Sequence, residues 1–286
     1  MRGCFSGNFE SRSLNSVSFE QGMKRAESII QKEAVPFEKF EPIFGADVVR
    51  ADKAHVANLK ERFKKGKQID AYGSNCGTIF EAILHMRLKK GDWISNVDAI
   101  KPNEFDDFTH GMDEVVRVIN PETKKQETVF AIDALTVGGG PLNVGVVKKM
   151  DRIKEEVASN HLPEIKYFLN EETGEVGIKN IPRIVVAADT KTMQGLNELW
   201  MERNGEELAK HPLQIQILEQ IIEQAVAIGS FAKKNGQNEI AEKYDAIRMW
   251  AKKKLSESSK RARTDWNDDA SSVVSNALWP FKETKV

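Results

Sequence analysis

One aspartate of this chain sits in the middle of an apolar run. Val129-Phe-Ala-Ile-Asp-Ala-Leu135 reads as a strand, and Asp133 is near its centre. An ionised carboxylate there is costly unless it is paired or bound to a cation. Two more acids fall where a fold could bring them to it. Glu81 belongs to the helical stretch GTIFEAIL, and Asp113 heads a second strand-like run, GMDEVVRV. A few carboxylate oxygens, with waters completing an octahedron, suit magnesium. Such an ion binds phosphate and lowers the pKa of an attacking water. Each acid also has a structural reading: Asp113 as a strand-start cap, Glu81 as part of a solvated helix face, Asp133 as a buried hydrogen bond to a neighbouring loop.

Other residues point less sharply. His110 is next to Gly111-Met-Asp113, in what reads as a solvated loop. Asp106 and Asp107 read first as turn formers, with assistance to a metal as the alternative. Gly138-Gly-Gly140 lacks the GK[ST] or GxGxxG context of a phosphate loop and reads as a strand exit. Asp189 ends an apolar strand, where a helix cap is the simpler role. Cys76 has no His or Asp arrangement to make it a nucleophile. Lys252, Lys253, Lys254 and Arg261 form a basic cluster with Trp250 and Trp266 nearby, suited to phosphate contact or to a solvated helix face.

The elements that must position these residues follow from periodicity. Residues 21–34 and 52–65 have helical composition, and a broad apolar face after Ser74-Asn75 predicts a helix ending at Gly91. Glu114–Ile119 and Thr128–Thr136 predict two strands joined as a hairpin through the polar NPETKKQE. A helix over 142–158, a short hairpin over 165–178 and the near-continuous apolar strand Arg183–Ala188 follow. Thr190 or Thr192 opens the next helix. Leu213–Lys234 and 238–258 read as two antiparallel helices, and the polar stretch from Ser256 as frayed. The expected organisation is an N-terminal helical segment (1–66, its first 20 residues poorly ordered), an α/β core (67–204), and a C-terminal helical hairpin with a polar tail (205–286).

Composition bounds the reading. The chain has 286 residues, 42 Lys and Arg against 43 Asp and Glu, and a net charge of −1, which argues against a uniformly basic nucleic-acid coat but leaves room for a local groove. Two cysteines make neither a disulfide framework nor a zinc cluster, so a reducing, cytoplasmic compartment is expected. Apolar runs are of strand length, and the first 16 residues lack the apolar centre of a signal peptide. No membrane partner is expected.

The order of acids resembles the PD-(D/E)XK nuclease superfamily, uncharacterised bacterial members included. In that family a helix supplies a Glu, the first strand of a hairpin begins with an Asp, and the second strand presents an Asp or Glu. The matching positions are Glu81, Asp113 and Asp133, within a resemblance covering residues 70 to 200. It implies a restriction-endonuclease-like mixed sheet flanked by helices, and a metal-dependent nuclease acting on DNA, with RNA as the alternative substrate. Asp113, Asp133 and Glu81 would hold magnesium, or else manganese. The family pattern has a Lys two residues after the second-strand carboxylate, where this chain has Leu135. Some members supply that cation from the following helix, which points to Lys148 or Lys149. The rival reading is an inactive nucleic-acid-binding or protein-interaction module that keeps the fold.

Overall fold

The computed structural model describes residues 7–66, 71–138, 143–171, 173–258 and 268–282. In chain order these form α1 (Gly7–Glu33), a 3-10 turn, α2 (Glu41–Phe44), α3 (Ala46–Gly66), α4 (Ala71–Lys90), β1 (Val97–Ile100), α5 (Glu104–His110), β2 (Glu114–Ile119), β3 (Gln126–Val137), α6 (Val144–Ala158), β4 (Ile165–Leu169), β5 (Val176–Ile178), β6 (Arg183–Asp189), α7 (Thr190–Met201), α8 (Gly205–Lys210), α9 (Leu213–Lys234), α10 (Asn238–Ser258), α11 (Ala270–Asn276) and α12 (Trp279–Lys282). Four strands make one mixed sheet in the order β1-β2-β3-β6. β1 pairs with β2 and β2 with β3 in antiparallel fashion, and β6 joins β3 in parallel after the α6 crossover. The architecture is α/β, with helices flanking the sheet. None of the described helices is long and apolar enough to cross a membrane.

Alternation along β3 sorts its side chains. Phe130, Ile132 and Ala134 enter the main core with α4, α9 and α10, whereas Ala131 joins a smaller cluster with Met112, Val115, Ile165, Phe168 and Ile181. With a side-chain period of two, Asp133 shares the face of Ala131, away from the main core. Apolar α4 residues Ile79, Phe80, Ile83 and Leu84 anchor that helix in the main core, which fixes where Glu81 can reach.

Four expectations change. β1 falls between Gly91 and Asp113, where periodicity predicts no strand; it has four residues, and its pairing with β2, not its composition, makes it a strand. α1 begins at Gly7, so residues 7–20 are helical, with Phe19, Met23, Ile29 and Ile30 packed against the main core. The stretch after Ser256 does not simply fray: α11 and α12 return to the body, and Val273, Val274, Leu278 and Phe281 are core residues. Asp189 caps α7, the role read for it at the end of its strand, accepting from the Thr192 amide at 2.6 Å; the cap is neither Thr190 nor Thr192.

β6 has only β3 beside it, and its free edge is closed by side chains. The Tyr244 hydroxyl meets the amide and carbonyl of Arg183 at 3.3 and 3.1 Å. Gln224 bonds the amide and carbonyl of Val185 at 2.9 and 2.6 Å, and Gln220 those of Ala187 at 2.8 and 2.9 Å. Asp268 accepts from the Asp189 amide at 3.1 Å. The match is one of pitch: residues four apart on a helix rise about 6 Å, and alternate strand residues are about 6.6 Å apart. The α9–α10 hairpin is thereby built onto the sheet.

Candidate functional site

Three carboxylates from different elements meet at one end of the β2–β3 pair. Glu81 comes from α4, Asp107 from α5, and Asp113 from the residue before β2; each offers an oxygen within 4.8 Å of the others. The short helix α5 brings two of them together. Asn103 caps its start, accepting from the Phe105 amide at 2.8 Å. Gly111 ends it at φ 67°, a left-handed conformation that glycine adopts without penalty, and its amide reaches the Asp107 carbonyl at 2.6 Å. The chain turns sharply there, so that Asp107 inside the helix and Asp113 beyond it face one space. Asp113 is fixed from both ends: its amide donates to the Ile132 carbonyl at 3.0 Å, and its Oδ2 accepts from the Ala134 amide at 2.7 Å.

Two ammonium groups enter this centre. Lys101, the residue after β1, donates to Glu81 Oε1 and to the Asp113 carbonyl. Lys149, from the second turn of α6, donates to Asp133 Oδ1. Their exposures separate their roles. The Lys101 side chain is 1% exposed and cannot touch a ligand from solvent, whereas that of Lys149 is 28% exposed and can. Glu81, Asp107, Asp113 and Asp133 against Lys101 and Lys149 leave two negative charges.

That shortfall shows in the protonation equilibria. Burial pushes the Glu81 carboxyl up to about 7, against the pull of Lys101 and with a further push from Asp113. Asp133 is likewise pushed up to about 7 by burial, with Lys149 opposing and Asp113 adding to the rise. Asp107 is raised well above the carboxylate range by burial and then by Asp113. For Lys101 and Lys149 burial works downward, but the surrounding carboxylates outweigh it and both are held above the usual lysine value.

The expected acids therefore divide. Glu81 and Asp113 come together as the order predicts. Asp133 lies beside them but is taken by Lys149, and the third member of the tight cluster is Asp107, which had been read first as a turn former. Its signal was the pair Asp106-Asp107 within EFDDFTH, where i,i+1 acids on a helix must point in different directions. Asp106 turns the other way and ties α5 to β4, accepting from the Lys166 and Tyr167 amides at 2.8 and 3.0 Å. Of the two candidate lysines on α6, Lys149 is at the centre and Lys148 is exposed beside it. Lys101 was not among the sequence candidates.

The margin of the centre is built from α6 and β6. Arg183 is buried, binds Glu156 through Nε and Nη2 at 3.1 and 3.0 Å, and donates from Nη1 to the His110 carbonyl at 2.6 Å. A Cβ on Gly111 would lie 3.7 Å from Asp133 Oδ2 and 3.9 Å from Lys149 Nζ, so this turn closes directly over that ion pair. His110 contributes its carbonyl here, and burial holds its imidazole below the usual histidine range.

The basic cluster is elsewhere. Lys254 is buried and engaged with Glu257 at 2.9 Å and Ser95 at 3.3 Å. Lys253 and Lys254 line a cleft with Ile119, Pro121 and Glu127, at the turn end of the β2–β3 hairpin. Six residues of β2 separate that end from Asp113, roughly 20 Å. Lys252 is exposed on the same helix, and Arg261 lies outside the described residues. No family model, curated protein or solved structure matches the chain.

Proposed function

We propose that the chain is a divalent-metal-dependent nuclease that hydrolyses phosphodiester bonds of DNA, with the carboxylate centre as its active site. The observation that carries this is the charge balance: four carboxylates at the centre, Asp133 buried and Glu81, Asp107 and Asp113 half-buried, against two ammoniums are short by two positive charges, the charge of one magnesium or manganese ion. An all-oxygen donor set fits these hard cations. Asp113, Asp107 and Glu81 would hold the ion, with Asp133 beside them, and the bound ion would supply Lewis acidity toward phosphate and a more acidic water. Lys149 is the cation open to solvent, positioned to meet charge on a bound phosphate. Lys101 stays behind the acids and orients Glu81. The element order supports the nuclease resemblance in part: α4 carries Glu81, the start of β2 Asp113 and β3 Asp133, as the family pattern orders them, and Lys149 would answer the lysine missing at Leu135.

The test joins binding to activity. Millimolar magnesium or manganese should raise the melting temperature of the wild type by mass action, and Asp113→Asn should remove that rise. Cleavage of single- or double-stranded DNA should require the metal and be lost in the same variant. One observation favours a second reading, a non-catalytic module: the Lys101 ammonium already occupies a Glu81 oxygen and the Asp113 carbonyl. An equal thermal response in wild type and variant, without cleavage of DNA or RNA, would select that reading.

A further inference from the structure

The C-terminal half of α3 is strongly basic, and the carboxylate centre does not use it. In KERFKKG, residues 60–66, four cations accompany one anion in a chain of net charge −1. Phe63 stands in this run with 49% of its surface exposed, its ring 6.1 Å from that of Phe108 and tilted by 48°. Lys60 lies 5.2 Å from the Phe108 ring and is paired with Glu104 at 2.5 Å; Arg62 is exposed. Two turns earlier on α3, His55 pairs with Phe105 at 6.0 Å. Phe108 directly follows Asp107, so the aromatic pair begins one residue, about 3.8 Å along the chain, from the carboxylate cluster.

A single exposed phenylalanine needs no explanation. Here the exposed ring has Arg62 beside it in the chain and, behind it, the half-buried ring of Phe108, the residue after Asp107 on α5. Unpaired bases stack on such rings while cations track their phosphates; a duplex keeps its base faces hidden. An acidic peptide would use the cations and leave the rings idle. We propose that the α3–α5 face seats a single strand of nucleic acid, with Phe63 and Phe108 as the stacking surface and Arg62 as a phosphate contact, and leads it to the carboxylate centre. The last clause rests on the nuclease reading; the seat itself does not.

The two are separable by anisotropy measurements on the full chain in EDTA, with a labelled oligothymidylate and a labelled hairpin duplex. The single strand should bind more tightly than the duplex. Phe63→Ala should weaken it by roughly five- to a hundredfold, the range for losing one stacked base, while Phe63→Trp should retain it. Arg62→Gln should lower the salt dependence by about one counterion. Phe63 is exposed, so an unchanged melting temperature certifies the variants. Equal binding by wild type and Phe63→Ala, equal affinity for strand and duplex, displacement by polyglutamate as effective as by unlabelled oligonucleotide, or no binding at all would each overturn the seat. Metal-dependent cleavage with an indifferent Phe63 rejects the seat and keeps the nuclease; binding that depends on Phe63 without cleavage does the reverse.

Discussion

Along the free edge of β6, Gln220 and Gln224 each meet both backbone polar groups of the residue opposite; across β3 from that edge, four carboxylates share two ammoniums. Both regions bury polar groups, and the difference is between geometry and charge. A neutral amide facing a strand can be satisfied completely by pitch, because donor and acceptor are met one for one. Clustered charges cannot be settled that way. Orientation leaves the net charge unchanged, and desolvation raises its cost. The β6 edge is finished within the chain, whereas the carboxylate centre needs protons or a cation from outside. Buried polarity alone does not mark a functional site; unbalanced buried charge is the stronger sign.

The comparison breaks most visibly at Lys101. Lys101→Met keeps the volume but leaves Glu81 and its neighbours with one ammonium among four carboxylates. Removing one partner of a buried pair typically costs about 3–5 kcal/mol, and denaturant unfolding of the metal-free protein at neutral pH should show a loss of that order. Manganese should recover more stability in this variant than in the wild type, since the centre is then more negative. A loss that manganese does not reduce would mean that Lys101 serves packing alone.

Gln224→Leu probes the other side with an apolar residue of similar size. It strands the amide and carbonyl of buried Val185, and with about 1–3 kcal/mol for each unsatisfied group the expected loss is about 3 kcal/mol, read by the same unfolding experiment. The thermal response to metal should be unaltered. A changed metal response would show that the two regions are coupled through β3 and β6, and would end their treatment as independent.

How much of this was legible in sequence differs between the two regions in the same way. β2, β3, β6, α9 and α10 follow from apolar periodicity, and the helical pair was expected to within a residue or so. Gln216, Gln220 and Gln224 are also visible as an i,i+4 row, but a glutamine row reads as solvated unless a strand edge is known to face it. At the centre, Glu81 and Asp113 were legible because each stands at a fixed point of a strong element. Asp107 and Lys101 were not. α5 has seven residues and β1 four, so tertiary packing and not local propensity forms them, and their side chains carry no periodic signal. Asp133 was legible as a buried charge; its partner, a lysine sixteen residues on, was expected only as one of two.

The smallest effect carries the opposite sign. Asp107 is the cluster member whose carboxylate has no ion pair or hydrogen bond among the described residues, and burial and Asp113 raise its pKa well above the carboxylate value. A group whose folded pKa is raised binds more protons in the native than in the unfolded state, so its contribution to stability is lost as pH climbs from the unfolded value near 3.8 upward. Asparagine cannot ionise. Asp107→Asn should therefore match the wild type near pH 4 and become the more stable of the two as pH rises to neutral in the absence of metal, read by the same unfolding experiment. In millimolar manganese the order should invert, because the variant has lost a ligand that the wild type puts to use. A variant less stable than the wild type at every pH without metal would mean that Asp107 is satisfied within the fold after all, and the carboxylate centre would then resemble the β6 edge it is contrasted with.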